Sequence, residues 1–348
     1  MTDLDRRRFV TSLLGSLGLA ATAPTDCLLA LSQSGVANRP HRIDVHHHFA
    51  PPAWVTEVKG RPLLQAANTT WTPEKSIEDM DRGGVAAAVV SVTNPGLWFG
   101  DKAVTRRLAR ACNDYGAKLV ADHPTRFGLF AALPLPDVDG TLNEIAYAYD
   151  TLKADGVGLF TSYGDTWLGN AVYRPVMEEL NRRKAVVHVH PTAANCCRNL
   201  DYAPGVGPGS MEYGTDTTRA IIGVTFGGDA ARFPDIRFIW SHAGGTAPFL
   251  AGRIDGASGS AKDRLPNGFM AELKKFYYDL AGAANPGAIA SLLKLVTTSQ
   301  VLFGTDFPPG GTSAQYAKAL TEIGMFSESE LRAIDRDNAV RLLPRLKG

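Results

Sequence analysis

The sequence lacks the features that define several classes of protein. Its four cysteines in 348 residues form no CxxC pair and are too few for a disulfide framework. Lys plus Arg exceeds Asp plus Glu by one (36 − 35 = +1), and no basic stripe occurs, so no nucleic acid partner is expected. The one apolar run near the start falls short of the roughly 18 residues that a membrane-spanning helix needs, so no stable membrane anchor is expected.

What the chain does contain is a regular alternation of two kinds of segment. Beyond Arg39, short β-branched or aromatic runs alternate with longer stretches of helical period, which is the pattern of βα units around a parallel sheet. An open doubly wound sheet is the alternative, but neither a GxGxxG nor a Walker loop is present. Eight strands therefore predict an α/β fold, a (β/α)8 TIM barrel with a C-terminal helical cap at Ser327–Leu346. The predicted strands are His41–His47, Val85–Val92, Phe127–Leu133, Val157–Thr161, Ala185–His190, Ile236–His242, Phe276–Leu280 and Val301–Thr305.

Residues 1–37 differ in composition from the rest of the chain. Arg6, Arg7 and Phe9 precede a weakly apolar segment rich in Gly and Ala, which resembles a twin-arginine export signal. The alternative is a basic tail without an address function, which would leave the protein in the cytoplasm. The sequence thus predicts an export signal over 1–37, a periplasmic destination, and one barrel domain over 38–348.

Histidines gather at the ends of predicted strands. Side chains along a strand alternate between faces, so His46 and His48 share one face and His47 takes the other. His190, followed by Pro191, ends strand five and is the third candidate ligand. Three imidazoles with one open position suit a catalytic zinc or a similar ion. His188 lies two residues deeper, as a supporting group or a further ligand.

Two more polar residues lie at the same predicted barrel mouth. Asp306 follows the apolar strand eight, where an unpaired carboxylate is costly unless it meets a cation, so it can ligate the metal or move a proton. The alternative is an N-cap for the next helix. His242 ends strand six and is the acid–base candidate. Asp279, at the end of strand seven, is expected to hydrogen-bond a ligand imidazole.

Together these segments resemble the amidohydrolase superfamily, and within it the branch of aminocarboxymuconate-semialdehyde, γ-resorcylate and 5-carboxyvanillate decarboxylases. The resemblance implies metal ligands at His46, His48, His190 and Asp306, and a catalytic partner at His242. The segment 94–100 is similar to bacterial 6-methylsalicylate decarboxylases. The motifs that carry the resemblance are His46-x-His48, His190-Pro191, Ser241-His242-Ala243-Gly244-Gly245 and Gly304-Thr305-Asp306-Phe307-Pro308.

Two departures from the family pattern narrow the expectation. Ala67 stands where the semialdehyde enzyme has a substrate-binding arginine, so that acyclic substrate is not expected. Strand four ends without the Lys or Glu that bridges two metals in hydrolytic relatives, so one divalent metal per chain is expected, zinc first and manganese second.

The expected function is non-oxidative decarboxylation of an aromatic hydroxy acid, with 6-methylsalicylate as the best single substrate. Asp306 would protonate the ring carbon with help from His242. Trp98, Phe99 and Phe307 are candidates for binding the substrate, although the first two could equally be core residues. The alternatives are a mononuclear hydrolase of a lactone or amide, and a non-catalytic binding protein. A homodimer is expected.

Overall fold

Eight parallel strands form one closed sheet in the computed structural model, which describes residues 41–192, 204 and 206–347. Each predicted strand overlaps an observed one, so the (β/α)8 barrel is confirmed. A short antiparallel hairpin, which the sequence analysis did not predict, follows the fourth barrel strand. The strands are β1 Arg42–His48, β2 Val85–Ser91, β3 Phe127–Ala132, β4 Gly156–Phe160, the hairpin β5 Ser162–Tyr163 and β6 Thr166–Trp167, then β7 Val186–His190, β8 Arg237–Trp240, β9 Tyr277–Asp279 and β10 Val301–Leu302.

Several helices begin at a residue whose side chain caps the first turn. Thr72 accepts a hydrogen bond from the backbone N–H of Lys75, and Asp101 accepts one from Val104. Gly84 ends the third helix in the left-handed region at φ 65°. The helices are α1 Pro52–Val58, α2 Ala66–Thr69, α3 Pro73–Gly83, α4 Lys102–Asp122, α5 Val138–Ala146, α6 Arg174–Arg182, α7 Glu212–Phe226, α8 Asp229–Arg232, α9 Ala247–Asp255, α10 Phe269–Leu273, α11 Pro286–Leu293, α12 Ser313–Glu322, α13 Glu328–Arg332 and α14 Asn338–Leu342.

The barrel closes where the chain beyond β10 runs alongside β1. The amide of Val45 donates to the carbonyl of Phe303 over 3.1 Å, and the amide of Asp306 donates to the carbonyl of His46 over 2.7 Å. His47 and Phe307 form a further parallel bridge. These bonds join β1 to the segment after β10 and close the barrel along this seam.

The C-terminal cap occupies the lower end of the barrel, where the strands begin. Leu343 and Leu346 join Ile43, Phe130 and Leu302 in one buried apolar cluster. The cap predicted from the sequence is therefore present, and the opposite end of the barrel, where the strands end, is left for the polar residues.

A bulge in β1 separates these two halves of the barrel interior. Asp44 pairs with Ala88 and His47 pairs with Val90, so β1 advances by three residues while β2 advances by two. Val45 and His46 both lie within this shift; Val45 belongs to the apolar cluster, and His46 beside it faces the strand ends. The irregularity lets one strand supply apolar packing below and imidazoles above.

Some sequence predictions concern segments outside the described residues. The export signal at 1–37 is one of them. Across the part of the chain that the structure describes, no helix has the length and apolar character needed to cross a membrane.

The cap prediction can be tested through Leu343, which is buried against the barrel floor. Leu343→Ala should lower the free energy of unfolding by about 2–5 kcal/mol, because it removes buried methyl groups and leaves a cavity. Urea denaturation with an unchanged m-value measures this loss. Met325→Ala, at an exposed position, should change the stability by about 0.5 kcal/mol or less; equal losses in both variants would contradict the packing role of the cap.

Candidate metal centre

Four side chains meet at the end of the barrel where the strands end. His46 and His48 come from the end of β1, His190 from the end of β7, and Asp306 from the segment after β10. Each offers one ligand atom, and these atoms all lie within 4.8 Å of one another. The sequence analysis named the same four residues, and the described residues place no fifth His, Cys, Asp or Glu in this group.

The four atoms surround a single point in the barrel. Oδ1 of Asp306 lies 2.8 Å from Nε2 of His48, 3.3 Å from Nε2 of His46 and 3.7 Å from Nε2 of His190. Nε2 of His46 and Nε2 of His48 are 3.2 Å apart. Nε2 of His190 is buried without a hydrogen-bond partner in the protein. Two ring nitrogens this close, and a third without a partner, fit a shared cation.

The outer nitrogen of each imidazole fixes the orientation of its ring. Nδ1 of His46 donates to Oδ2 of Asp279 over 3.0 Å, and Nδ1 of His190 donates to the carbonyl of Pro191 over 2.8 Å. Nδ1 of His48 donates to the carbonyl of Ser91 over 3.2 Å. Because Nδ1 of each ring is a hydrogen-bond donor, Nε2 faces the centre and can offer its lone pair to a metal once it carries no proton.

The charges of the cluster are strongly coupled. Burial raises the pKa of Asp306, but the three neighbouring imidazoles outweigh burial and hold that pKa well below its usual range. Burial lowers the pKa of His46, yet Asp279 and Asp306 together raise it to about 10. Burial lowers the pKa of both His48 and His190. His46 therefore carries a positive charge that balances the carboxylates; a divalent cation would displace the proton on its Nε2 and take neutral nitrogens and one carboxylate as ligands.

Asp279 is hydrogen-bonded to one candidate ligand and to groups next to the cluster. Its Oδ2 accepts hydrogen bonds from Nδ1 of His46 and, over 3.1 Å, from Nε2 of His188. Its Oδ1 accepts from the backbone amides of His242 and Ala281, each over 3.1 Å. His188 lies deeper, with its ring stacked 5.5 Å from that of Phe130. Asp279 thus contacts a candidate ligand, as predicted, and His188 contacts Asp279 instead of the centre.

His242 lies beside the cluster without belonging to it. Its ring centroid is 4.9 Å from that of His46 and 5.7 Å from that of His190. Its Nδ1 donates to the carbonyl of Ala281 over 2.8 Å, which leaves Nε2 for a bound molecule. Its backbone lies in the left-handed region at φ 54°, as does that of Asp306 at φ 57°. Such strained conformations persist where surrounding contacts enforce them.

The predicted aromatic residues occupy two places. Trp98 and Phe99 line a cavity of about 350 Å³, with Phe160 between it and His190; the ring centroids of Phe160 and His190 are 6.1 Å apart. Phe307 is not among the lining residues. Its ring stacks on that of His47 with 4.8 Å between centroids.

Tyr213, from the start of α7, is a neighbour that the sequence analysis missed. Its ring centroid lies 6.5 Å from that of His190. Burial, with the negative charge of Asp306 nearby, raises the pKa of Tyr213 to about 12, so it keeps its hydroxyl hydrogen at neutral pH. Nothing in the sequence around it signals this position, because it follows a loop and not a barrel strand.

Comparison with known proteins agrees with this barrel and its polar end. The model of the amidohydrolase family matches residues 43–345. The decarboxylase yanB of Aspergillus niger is 38% identical over 88% of each chain. The 6-methylsalicylic acid decarboxylase of Penicillium expansum is 34% identical over 88% of this chain and 97% of its own. The protein therefore belongs to the amidohydrolase family, as the sequence predicted.

A solved structure supports the fold. A dihydroxybenzoic acid decarboxylase from Polaromonas, crystallised with manganese and an inhibitor, has a TM-score of 0.75 to this chain at 21% identity. The likeness covers 88% of this chain and 98% of that one.

The centre can be tested by metal analysis. The purified protein should contain about one equivalent of a divalent ion per chain, since the four ligand atoms surround one point. His48→Ala should lose most of this ion while retaining the circular dichroism of the fold. His123→Ala changes a histidine that packs on Phe127 and should keep the full content. Two equivalents in the unmodified protein would contradict a mononuclear centre.

Proposed function

We propose that the protein is a metal-dependent, non-oxidative decarboxylase of an aromatic hydroxy acid. The observation that carries this proposal is the convergence of three Nε2 atoms and the carboxylate of Asp306, with the imidazole of His242 beside them. The relatives above 30% identity are named as decarboxylases, and two of them as decarboxylases of 6-methylsalicylic acid. A substrate similar to 6-methylsalicylate is therefore the first choice.

We propose zinc as the resident ion and manganese as the alternative. Three imidazole nitrogens and one carboxylate oxygen are typical ligands of zinc, although manganese also accepts them. A bound ion supplies a positive charge that orients the carboxylate and the ortho oxygen of the substrate.

Asp306 is the proposed proton donor to the ring. The proton is added to the ring carbon that bears the carboxylate; the bond between these two carbons then breaks, its electron pair returns to the ring, and carbon dioxide leaves. The low pKa of Asp306 means that it is ionised in the resting protein. It must therefore gain a proton from solvent, aided by His242, and an acid with a low pKa then gives that proton up readily.

The aromatic side chains that line the cavity favour an aromatic substrate over a small aliphatic one. Trp98, Phe99 and Phe160 offer ring surfaces to a planar ligand. The guanidinium of Arg61 lies 3.8 Å above the ring of Phe99, which adds positive charge near the same cavity. An aromatic carboxylate matches both properties.

The hydrolase alternative has no observation in its favour. The relatives above 30% identity are named as decarboxylases and none of them as a hydrolase. Thr161, which follows β4, donates to Asp216 and offers no bridging group for a second metal, which argues against a binuclear hydrolase only. Export through residues 1–37 and assembly as a homodimer stay predictions from the sequence.

The proposed reaction can be tested with 6-methylsalicylate and other hydroxybenzoates. The metal-loaded protein should release carbon dioxide, and in heavy water the product should carry one deuterium where the carboxylate had been. Asp306→Asn should reduce turnover by about 10²–10⁴-fold, because proton transfer is lost while the amide oxygen can still ligate the metal.

His242→Ala should reduce turnover less than Asp306→Asn, since His242 assists the acid. Solvent oxygen in a carboxylate product, without release of carbon dioxide, would contradict the decarboxylase proposal and favour a hydrolase.

A further inference from the structure

A chain of buried polar side chains runs through the barrel wall, on the side of β1 that faces away from the candidate ligands. Nδ1 of His47 donates to Oδ2 of Asp44 over 3.0 Å, and Nε2 of His47 lies 2.9 Å from Oγ of Ser76 on α3. The indole nitrogen of Trp71 donates to the same Oγ over 2.8 Å. Asp44, His47 and Ser76 have no exposed surface.

This order of Asp, His and Ser resembles a hydrolytic triad, but its surroundings exclude that role. The hydroxyl of Ser76 accepts from Trp71 and donates to His47, so its hydrogen-bonding capacity is used within the wall. No substrate can reach a serine without exposed surface. The chain is therefore an internal support.

Asp44 accepts four hydrogen bonds in this network. Its Oδ1 accepts from the amides of His46 and Thr305, over 3.0 and 3.2 Å. Its Oδ2 accepts from the hydroxyl of Thr305 over 2.6 Å and from His47. The carboxylate thus ties β1 to the segment after β10. Three of the four candidate ligands lie on these two segments.

Asp306 stands between two residues that the network holds. Thr305 is bound to Asp44, and its hydroxyl also accepts from the amide of Phe307 over 3.1 Å. The ring of Phe307 stacks on His47, and its carbonyl accepts from the amide of His48 over 2.7 Å. The left-handed backbone of Asp306 is unfavourable for an aspartate and needs such external contacts.

We infer that Asp44, His47 and Thr305 are positioning residues, which set the place of the Asp306 carboxylate relative to the three imidazoles. They are not among the candidate ligands and act through the backbone on both sides of Asp306. The inference rests on the proposed function only in taking Asp306 as ligand and acid; the hydrogen bonds themselves do not depend on it.

The first variant removes the hydrogen bonds of His47 while keeping its ring. His47→Phe retains an aromatic ring against Phe307 but loses both nitrogens. We expect its affinity for Co²⁺ to fall about 10–100-fold and the visible absorption of the Co²⁺-loaded protein to change, because one ligand shifts. His123→Phe is the matched control: the same change at a histidine that packs on Phe127 should leave both unchanged.

The second pair of variants isolates the hydroxyl of Thr305. Thr305→Val is nearly isosteric and should reproduce the loss of Co²⁺ affinity and the spectral change. Thr305→Ser restores the hydroxyl and should restore both properties. With a hydroxybenzoate substrate, kcat of Thr305→Val should fall about 10–100-fold with little change in KM, since Asp306 acts after binding.

Unchanged Co²⁺ affinity and spectrum in folded His47→Phe and Thr305→Val would overturn the inference. If one variant fails to fold, the other still decides. The Co²⁺ measurements need no substrate, so their outcome stands even if no hydroxybenzoate is turned over, a result that would refute the proposed function alone.

Discussion

The hydrogen-bonded seam between β1 and the segment after β10 is the constraint on which the candidate centre depends. His46 and His48 lie on one side of it and Asp306 on the other, joined through the amide of Asp306 and the carbonyl of His46. In a barrel, this seam is where the last strand meets the first. The distances among three of the four candidate ligands are therefore set by the closure of the fold, and only His190 reaches the centre from elsewhere.

Charge in the barrel interior is the second constraint, and each carboxylate is stabilised by the groups around it. A carboxylate removed from water costs several kcal/mol unless paired; Asp279 is fully buried, and the Asp306 side chain is only 19% exposed. Asp279 receives four hydrogen bonds, two from imidazoles and two from backbone amides. Asp306 instead faces three ring nitrogens, one of them without another partner. Asp279 therefore orients a candidate ligand, whereas Asp306 remains available to a cation and a substrate.

Much of this arrangement could be predicted from the sequence because strand geometry is periodic. Alternation along β1 correctly placed His46 and His48 together and His47 on the other face. The apolar strands ending in His190 and Asp306 located the right end of the barrel. The bulge in β1 could not be predicted, since it depends on pairing with β2. Phe307 turns against His47 because Asp306 adopts a left-handed backbone, which the sequence does not reveal.

The most direct test of the account is a crystal structure of the zinc-loaded protein with salicylate, recorded at the zinc absorption edge. The account predicts one anomalous peak per chain, about 2.0–2.2 Å from Nε2 of His46, His48 and His190 and from Oδ1 of Asp306. It also predicts the carboxylate of salicylate at that ion, with the carbon that bears it about 3–3.5 Å from the other oxygen of Asp306. Two zinc peaks, or salicylate bound away from Asp306, would contradict a mononuclear decarboxylase.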